Sequence, residues 1–299
     1  MQKIVTQNSQ YGLHLSSLAD LCYICHPKHD RFFFMATRYT SPTTKPLIFV
    51  TNDDGIEAKG LRLLAEYLAP LGEIVTVAPD GPRSGQSAAI TAGIPLRVTE
   101  TTCIPGCKAY KTNGTPVDCV KLSMNNILDR RPDLLVSGIN HGSNSGVSVI
   151  YSGTMGAVFE GVIQGIPSVG FSLCDHDRNA DFTICRPLIV SLCQAILEKG
   201  LPSGIGLNVN FPAVKELKGA HVCRAARGLW TEEYDRRIDP FGRPYYWLTG
   251  TFRNAEPDST DTDEYFLAHD MASIVPVSID RTDYDVIKQI QDLSPLLDR

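Results

Sequence analysis

The sequence has no uninterrupted apolar run close to the roughly 20 residues that a membrane-spanning helix needs. It also lacks the charged start, apolar core and small-residue cleavage site of a secretory signal. The nine cysteines are scattered through predicted strands and helices, without the dense spacing of a disulfide scaffold. These features predict a protein of the cytoplasm that has no membrane partner.

The sequence also has fewer basic than acidic residues, 28 Lys and Arg against 33 Asp and Glu. The formal net charge of the 299-residue chain is −5, which argues against a groove for a nucleic acid polymer. Small phosphate compounds remain possible partners, because a bound cation attracts phosphate locally whatever the net charge.

Several familiar catalytic motifs are absent. No Gly is followed by Lys, so there is no phosphate-binding P-loop, and neither H-E-x-x-H nor G-x-S-x-G occurs. The Asp-x-Asp nucleophile motif of haloacid-dehalogenase phosphatases is missing because Asn52 stands at its first position. What remains is hydrolysis without an obvious covalent nucleophile.

The strongest positive feature is an apolar run, Leu47 to Val50, that ends in Thr51-Asn52-Asp53-Asp54-Gly55. It predicts a buried parallel strand that delivers Asp53 and Asp54 to the carboxyl edge of a sheet, where α/β folds bind ligands. Two adjacent carboxylates gain most from a shared cation, and oxygen ligands suit one divalent ion, Mg²⁺ or Mn²⁺. The alternative is that one of the two acids only caps the next helix.

Strands and helices alternate from Leu47 to Asn210, which predicts an α/β fold with a mostly parallel sheet and helices on both faces. We divide the chain into a poorly ordered extension (1–45), a catalytic core (46–210) and a C-terminal β-rich extension with a terminal helix (211–299). The aromatic residues of the C-terminal extension predict a subunit contact, because aromatic side chains are enriched at interface cores. Elements predicted with defined bounds include a helix over Pro116–Leu128, strands over Tyr245–Thr249 and Ser273–Ile279, and a last helix over Asp283–Leu297.

A second polar region runs from Asn140 to Thr154 and follows another apolar strand. Ser152, Gly153 and Thr154 precede a predicted helix, where free backbone amides favour an anion. Simple capping of that helix by Ser152 or Thr154 explains the same residues. His141 is either a general acid or base or a histidine without a catalytic role.

Five sequence blocks in the same order resemble the SurE survival-protein family of metal-dependent nucleotidases. The resemblance extends from Leu47 to about Ile290. The blocks are Thr51-Asn52-Asp53-Asp54-Gly55, Val77-Ala78-Pro79-Asp80 with Arg83-Ser84-Gly85, Asn113-Gly114-Thr115-Pro116 with Asp118-Cys119-Val120, Ser137-Gly138-Ile139-Asn140, and Tyr151-Ser152-Gly153-Thr154.

The resemblance implies a Rossmann-like core, a C-terminal extension used in a homodimer or homotetramer, and hydrolysis of nucleoside 5′- and 3′-monophosphates. Short polyphosphate is a further implied substrate. The implied metal ligands are Asp53, Asp54, Ser84 and Asn140, and the implied catalytic residues are Asp53, Asp54 and Asn140. The implied phosphate pocket is lined by Asn113, Ser152, Gly153 and Thr154.

Two rival functions remain at this stage. One is a nucleotide-binding regulatory protein without turnover, and the other is a generic phosphomonoesterase without nucleoside selectivity. Retention of all four implied cation ligands favours an enzyme, since backbone amides alone can hold a phosphate.

Overall fold

The computed structural model describes residues 45–291, so nearly all of the predicted N-terminal extension lies outside the described residues. The strands are β1 (Leu47–Thr51), β2 (Glu73–Pro79), β3 (Val98–Thr101), β4 (Lys108–Thr112), β5 (Leu134–His141), β6 (Ser168–Leu173), β7 (Ile205–Phe211), β8 (Gly219–Val222), β9 (Gly228–Thr231), β10 (Tyr234–Ile238), β11 (Pro244–Leu248), β12 (Thr251–Asn254) and β13 (Met271–Ser278). The helices are α1 (Lys59–Leu68), α2 (Pro116–Leu122), α3 (Gly153–Ile163), α4 (Arg186–Lys199), α5 (Asp263–Ala268) and α6 (Tyr284–Gln291).

Nine strands form one sheet in the order β3-β4-β2-β1-β5-β6-β7-β13-β8. The pairs from β4 through β7 are all parallel, whereas β3 and β13 run antiparallel to their neighbours β4 and β7. This arrangement confirms the predicted α/β class and puts the carboxyl ends of β1, β5 and β6 side by side. The site is built at that edge.

Helices cover both faces of the sheet, and β1 shows why. Its side chains alternate between the two faces, so that Ile48 and Val50 pack into one apolar cluster and Phe49 into another. The first cluster includes residues of α1 and α4, and the second includes residues of α2 and α3. Burial on both faces requires a continuously apolar strand, which is what β1 is. No helix in the range 45–291 is long and apolar enough to cross a membrane.

Two strands of the predicted C-terminal extension belong to the main sheet. β13 pairs with β7 over six residues, and β8 pairs with the other edge of β13. The boundary that we predicted between 210 and 211 therefore does not separate an independent appendage from the core. The hydrogen bonds that join the two parts link residues more than 60 positions apart, which local patterns do not reveal.

Another part of the extension forms a β-hairpin arm, which we define as residues 228–254. Its base is the β9–β12 pair and its distal part is the β10–β11 pair, both antiparallel. The predicted strand over Tyr245–Thr249 corresponds to β11, but β9, β10, β12 and α5 were not predicted. The predicted helix over Pro116–Leu128 is α2 followed by a wider helical turn, Ser123–Ile127, where the Ser123 hydroxyl bonds the Cys119 carbonyl.

Candidate active site

The turn after β1 is closed by Asn52. Its side-chain amide donates to the Gly55 carbonyl at 3.0 Å, and its side-chain oxygen accepts from the Gly55 amide at 3.2 Å. Asparagine favours such turns because its short side chain replaces a backbone partner. The closed turn holds Asp53 and Asp54 at the end of the strand, as the sequence predicts, with Asp53 only 3% exposed.

Asp53 is held by two other segments of the chain. The Thr154 hydroxyl donates to its Oδ1 at 2.5 Å, and the amide of Arg83 donates to its backbone carbonyl at 2.7 Å. Gly153 packs directly against the carboxylate, since a Cβ built on Gly153 would lie 2.9 Å from Oδ2 of Asp53. The start of α3 therefore faces Asp53.

Asp54 lies beside the end of β5. Its Oδ2 accepts from the backbone amide of His141 at 3.3 Å, which brings Asn140 into the same area. The Asn140 side chain is 8% exposed, and its Nδ2 donates to the Gly142 carbonyl at 2.8 Å. That bond fixes the amide so that Oδ1, an oxygen without a hydrogen-bond donor within residues 45–291, is available to a ligand.

The two aspartates form an anionic centre that the protein itself does not neutralise. Burial and the neighbouring Asp54 raise the pKa of Asp53 to about 6, against hydrogen bonds from Thr154 that lower it. Burial also raises the pKa of Asp54. Among residues 45–291, neither carboxylate forms an ion pair with Lys, Arg or His.

The donor set at this edge fits a hard divalent cation. It consists of two carboxylates and the Asn140 amide oxygen, and oxygen ligands are what Mg²⁺ and Mn²⁺ prefer. In the described range no three His, Cys, Asp or Glu side chains cluster in a way that could hold a metal. A cation at Asp53 and Asp54 would therefore need neutral oxygens to complete its coordination.

Ser84 lies on an exposed turn next to this centre. The preceding residue, Arg83, bonds the backbone of Asp53, and its guanidinium is held by Asp80 and by the carbonyl of Gly114. These contacts dock the loop after β2 against the turn after β1. Ser84 is thus one residue away from a direct bond to Asp53.

Asn113 is engaged elsewhere. Its Oδ1 accepts from the amide of Arg97 at 2.8 Å, and its Nδ2 donates to the carbonyl of Pro95 at 3.3 Å. Both polar atoms therefore hold the segment before β3. The predicted role of Asn113 in a phosphate pocket gains no support from this geometry.

The three residues at the start of α3 have separate roles. The Ser152 hydroxyl caps the helix by accepting from the amide of Met155 at 3.1 Å, Gly153 makes room for Asp53, and the Thr154 hydroxyl is fully buried on Asp53. Both side-chain hydroxyls are thus used inside the protein. The Met155 amide is bonded to Ser152 and the Thr154 amide faces Asp53, so an anion at this helix start would be met by the Gly153 amide, with support from the partial positive charge of the helix end.

Asp263 is a supporting residue that the sequence analysis missed. It lies on α5, is fully buried, and accepts from the amides of Gly146 and Ala226, both at 2.8 Å. Its carboxylate therefore ties the loop after β5 to the C-terminal part of the chain. No local signal marks it, because Asp263 and Gly146 are 117 residues apart.

A first prediction concerns the stability of the metal-free protein. Because the pKa of Asp53 is raised in the folded protein, protonation of Asp53 stabilises the fold. This stabilisation is fully present below about pH 3.8 and is lost as the pH rises through about 6. We expect Asp53→Asn to increase the free energy of unfolding at pH 7.5 by about 1–3 kcal/mol relative to the native chain. Urea unfolding in the presence of a chelator, at pH 7.5 and at pH 4.5, measures the effect.

The matched control is Asp118→Asn. Burial raises the pKa of Asp118, but hydrogen bonds from Thr115 and Thr91 outweigh burial and lower it overall. Asp118 therefore stabilises the fold above its ordinary pKa, and its substitution should destabilise the protein at pH 7.5. A loss of stability in both variants at pH 7.5 would contradict the assignment of Asp53 as an electrostatically unfavourable residue.

The fold and the site define an α/β protein that carries two adjacent carboxylates, one buried and one half-buried, at the carboxyl edge of a mostly parallel sheet. The sequence model described as Survival protein SurE matches residues 48–232, which is more than half of the chain. The chain belongs to the SurE family.

Relatives and a solved structure agree with this membership. The chain is 48% identical over 248 residues to the 5′-nucleotidase SurE of Phocaeicola vulgatus, with 83% of this chain and 96% of the relative covered. It is 50% identical over 254 residues to the 5′-nucleotidase SurE of Christiangramia forsetii, with 84% and 97% covered. The crystal structure of the SurE protein from Aquifex aeolicus matches with a TM-score of 0.72 and 35% identity, over 83% of this chain and 100% of that one.

Proposed function

We propose that the protein is a 5′-nucleotidase that hydrolyses nucleoside monophosphates to nucleoside and phosphate with the help of one divalent cation, Mg²⁺ or Mn²⁺. The observation that carries the proposal is the pair formed by the buried Asp53 and the half-buried Asp54, which has no cationic partner in the described chain. Relatives named 5′-nucleotidase SurE, at 48–50% identity over nearly their whole length, support the nucleoside monophosphate as substrate.

Asp53, Asp54 and Asn140 would hold the cation, with Ser84 from the adjacent loop as a further ligand. A cation bound there supplies positive charge that polarises the phosphoryl group. The Thr154 hydroxyl and the His141 amide orient the two carboxylates. The Gly153 amide, at the start of α3, would then meet a phosphate oxygen, where a preorganised donor stabilises charge that develops in the transition state.

Finer aspects of the substrate range are part of the same proposal. Nucleoside 3′-monophosphates and short polyphosphate present the same terminal phosphoryl group to the same donors. The seven cysteines of the described chain are free thiols, which supports a reducing compartment such as the cytoplasm.

A substrate panel tests the function. The protein is stripped of metal with a chelator and assayed with nucleoside 5′- and 3′-monophosphates, a sugar phosphate, p-nitrophenyl phosphate and short polyphosphate, before and after Mg²⁺ or Mn²⁺ is added back. We expect turnover only with metal and highest with a nucleoside 5′-monophosphate. Nucleotide binding without turnover would favour a regulatory protein, and equal rates on all monoesters would favour a generic phosphomonoesterase.

A second prediction follows from the bond between Thr154 and Asp53. Thr154→Val removes a fully buried donor to the carboxylate, so we expect Mn²⁺ affinity to fall roughly tenfold, the lower end of what partners of metal ligands contribute. Thr154→Ser keeps the hydroxyl and should bind Mn²⁺ nearly as the native protein does. Calorimetric titration of the metal-free proteins measures both. If Thr154→Val binds Mn²⁺ with unchanged affinity, the result would contradict a role in metal binding and favour the phosphate-binding role that the family resemblance implies.

A third prediction concerns assembly through the β-hairpin arm. Tyr246 and Trp247 on β11 are each 58% exposed, and aromatic side chains of this kind are enriched at the cores of protein interfaces. We expect a homodimer or homotetramer in light scattering, and a smaller particle when both residues are replaced by Ser. Ile163→Ser, which removes an equally exposed apolar residue at the end of α3, is the control. A native protein that is monomeric at micromolar concentration would contradict the prediction.

A further inference from the structure

A closed ring of hydrogen bonds surrounds Asn144, in the middle of the loop after β5. The Asn144 amide donates to Oδ1 of Asn210 at 2.8 Å, Nδ2 of Asn210 donates to Oδ1 of Asn208 at 3.1 Å, and Nδ2 of Asn208 donates to the Asn144 carbonyl at 2.8 Å. The Asn144 side chain adds a bond to the Ser172 hydroxyl at 2.8 Å. The backbone amide and the backbone carbonyl of Asn144 are thus both held by hydrogen bonds with β7 side chains.

The two asparagines that complete the ring come from the core of the sheet. Asn208 and Asn210 are two residues apart on β7, so both point to the same face, and they are 1% and 0% exposed. Two amides buried within an otherwise apolar strand would be costly without partners. Here both side chains have partners, and together they form a rigid polar support beneath the loop.

The supported loop in turn orients Asn140. Nδ2 of Asn140 donates to the carbonyl of Gly142 at 2.8 Å, and the amide of Gly142 donates to the carbonyl of Leu173 at 2.8 Å. Gly142 is therefore bonded to β6 through its amide and to the Asn140 side chain through its carbonyl. It lies two positions before Asn144, where the ring holds the loop. If the loop shifts, the carbonyl that selects the direction of the Asn140 amide shifts with it.

We propose that Asn208 and Asn210 are positioning residues for Asn140, and that they keep its Oδ1 directed at the cation by holding the loop at Asn144. The inference rests on the proposed function only in taking Asn140 as a cation ligand. Neither asparagine is assigned contact with substrate. Their effect is transmitted through two peptide units, so it should appear in metal binding before it appears in the chemistry.

The test measures Mn²⁺ binding to the metal-free, full-length protein, with unfolding by urea measured on the same samples. Asn208→Ala and Asn210→Ala should each weaken Mn²⁺ binding by roughly tenfold, in the range found for outer partners of metal ligands. Excess Mn²⁺ should restore most of kcat in both variants. Asn208→Leu keeps roughly the volume of the side chain, removes the donor to Asn144 without adding a charge, and serves if an alanine variant does not fold.

Two controls separate positioning from general loss of stability. Val209 lies between the two asparagines on β7, but its side chain faces the opposite, apolar side of the sheet. Val209→Ala should therefore destabilise the fold without changing the loop. Ser273→Ala removes a buried hydroxyl that faces Asn210 in register on β13 and has no hydrogen-bond partner in the described chain. Both controls should keep Mn²⁺ affinity within about twofold of the native value.

The outcomes also distinguish this inference from the proposed function. Folded asparagine variants with native Mn²⁺ affinity, or a Val209→Ala variant that loses as much affinity as they do, would overturn the positioning role alone. If the native protein binds Mn²⁺ but hydrolyses no nucleotide, the proposed function is overturned. The Mn²⁺ titrations would then still test the positioning role of Asn208 and Asn210. Native protein that binds no Mn²⁺ would overturn both.

Discussion

Replacing Asp54 with Asn is expected to lower metal-supported turnover of nucleoside monophosphates by roughly a thousandfold. The substitution keeps the size of the side chain and its acceptor for the His141 amide, but it removes one of the two charges that attract the cation. Charge stabilisation by a metal ion contributes several kcal/mol, and about 4 kcal/mol corresponds to a thousandfold change in rate. Steady-state kinetics over a range of Mn²⁺ concentrations measures the loss.

The control for Asp54→Asn is Glu57→Gln. Glu57 is an exposed carboxylate three residues further along the same turn, so the variant has the same change of net charge close to the site. If the effect of Asp54→Asn came only from the general electrostatic field, both variants would lose activity together. Full activity of the Asp54→Asn protein at low metal concentration would refute the assignment of Asp54 as a cation ligand.

Much of the core could be predicted because its strands are buried on both faces. Such strands are mostly apolar, as in β1 and β2, and they end abruptly where the polar turns begin. Parallel strands share one carboxyl edge, which places the turn at Asp53 there, and the resemblance to the SurE family implied that Asn140 joins it in one ligand set. The structure brings Asp53, Asp54 and the backbone of His141 together there.

The parts that could not be predicted depend on contacts between distant residues. The short, exposed strands of the β-hairpin arm carry no apolar alternation, so β9, β10 and β12 resemble loops in the sequence. β13 has a clear strand pattern, but the pattern does not say that its partner is β7. Asp263 and Asn210 act on residues 117 and 66 positions away, and the sequence does not show which distant partner such a polar residue has.

The role of Thr154 illustrates the same limit within the site. A Thr at the start of a helix fits an anion site and a helix cap equally well from the sequence alone. The structure shows a third contact, since the turn after β1 brings Oδ1 of Asp53 within 2.5 Å of the Thr154 hydroxyl. The residue thus stays in the site, but it acts on a carboxylate, and Ser152 alone performs the capping.

Gly153→Ala is expected to have the second large effect, because the added methyl group meets the carboxylate that the site is built around. A Cβ on Gly153 would lie 2.8 Å from Cβ of Asp53 and 2.9 Å from its Oδ2, closer than carbon and oxygen atoms normally approach. Gly153 begins α3 and α3 is packed in the core, so the helix cannot retreat without disturbing the fold. Asp53 must therefore move, and its bond to Thr154 is lost with it.

We expect Gly153→Ala to reduce Mn²⁺ affinity and turnover each by roughly a hundredfold, the upper end for changes next to a metal ligand. Gly81→Ala is the matched control, since a Cβ at Gly81, in the loop after β2, would meet no atom within 4 Å. Mn²⁺ titration, nucleotide kinetics and urea unfolding on both variants separate displacement of Asp53 from loss of the fold. A folded Gly153→Ala protein with native Mn²⁺ affinity would show that Asp53 can bind the cation from a displaced position, and the close packing of α3 against it would then have no part in metal binding.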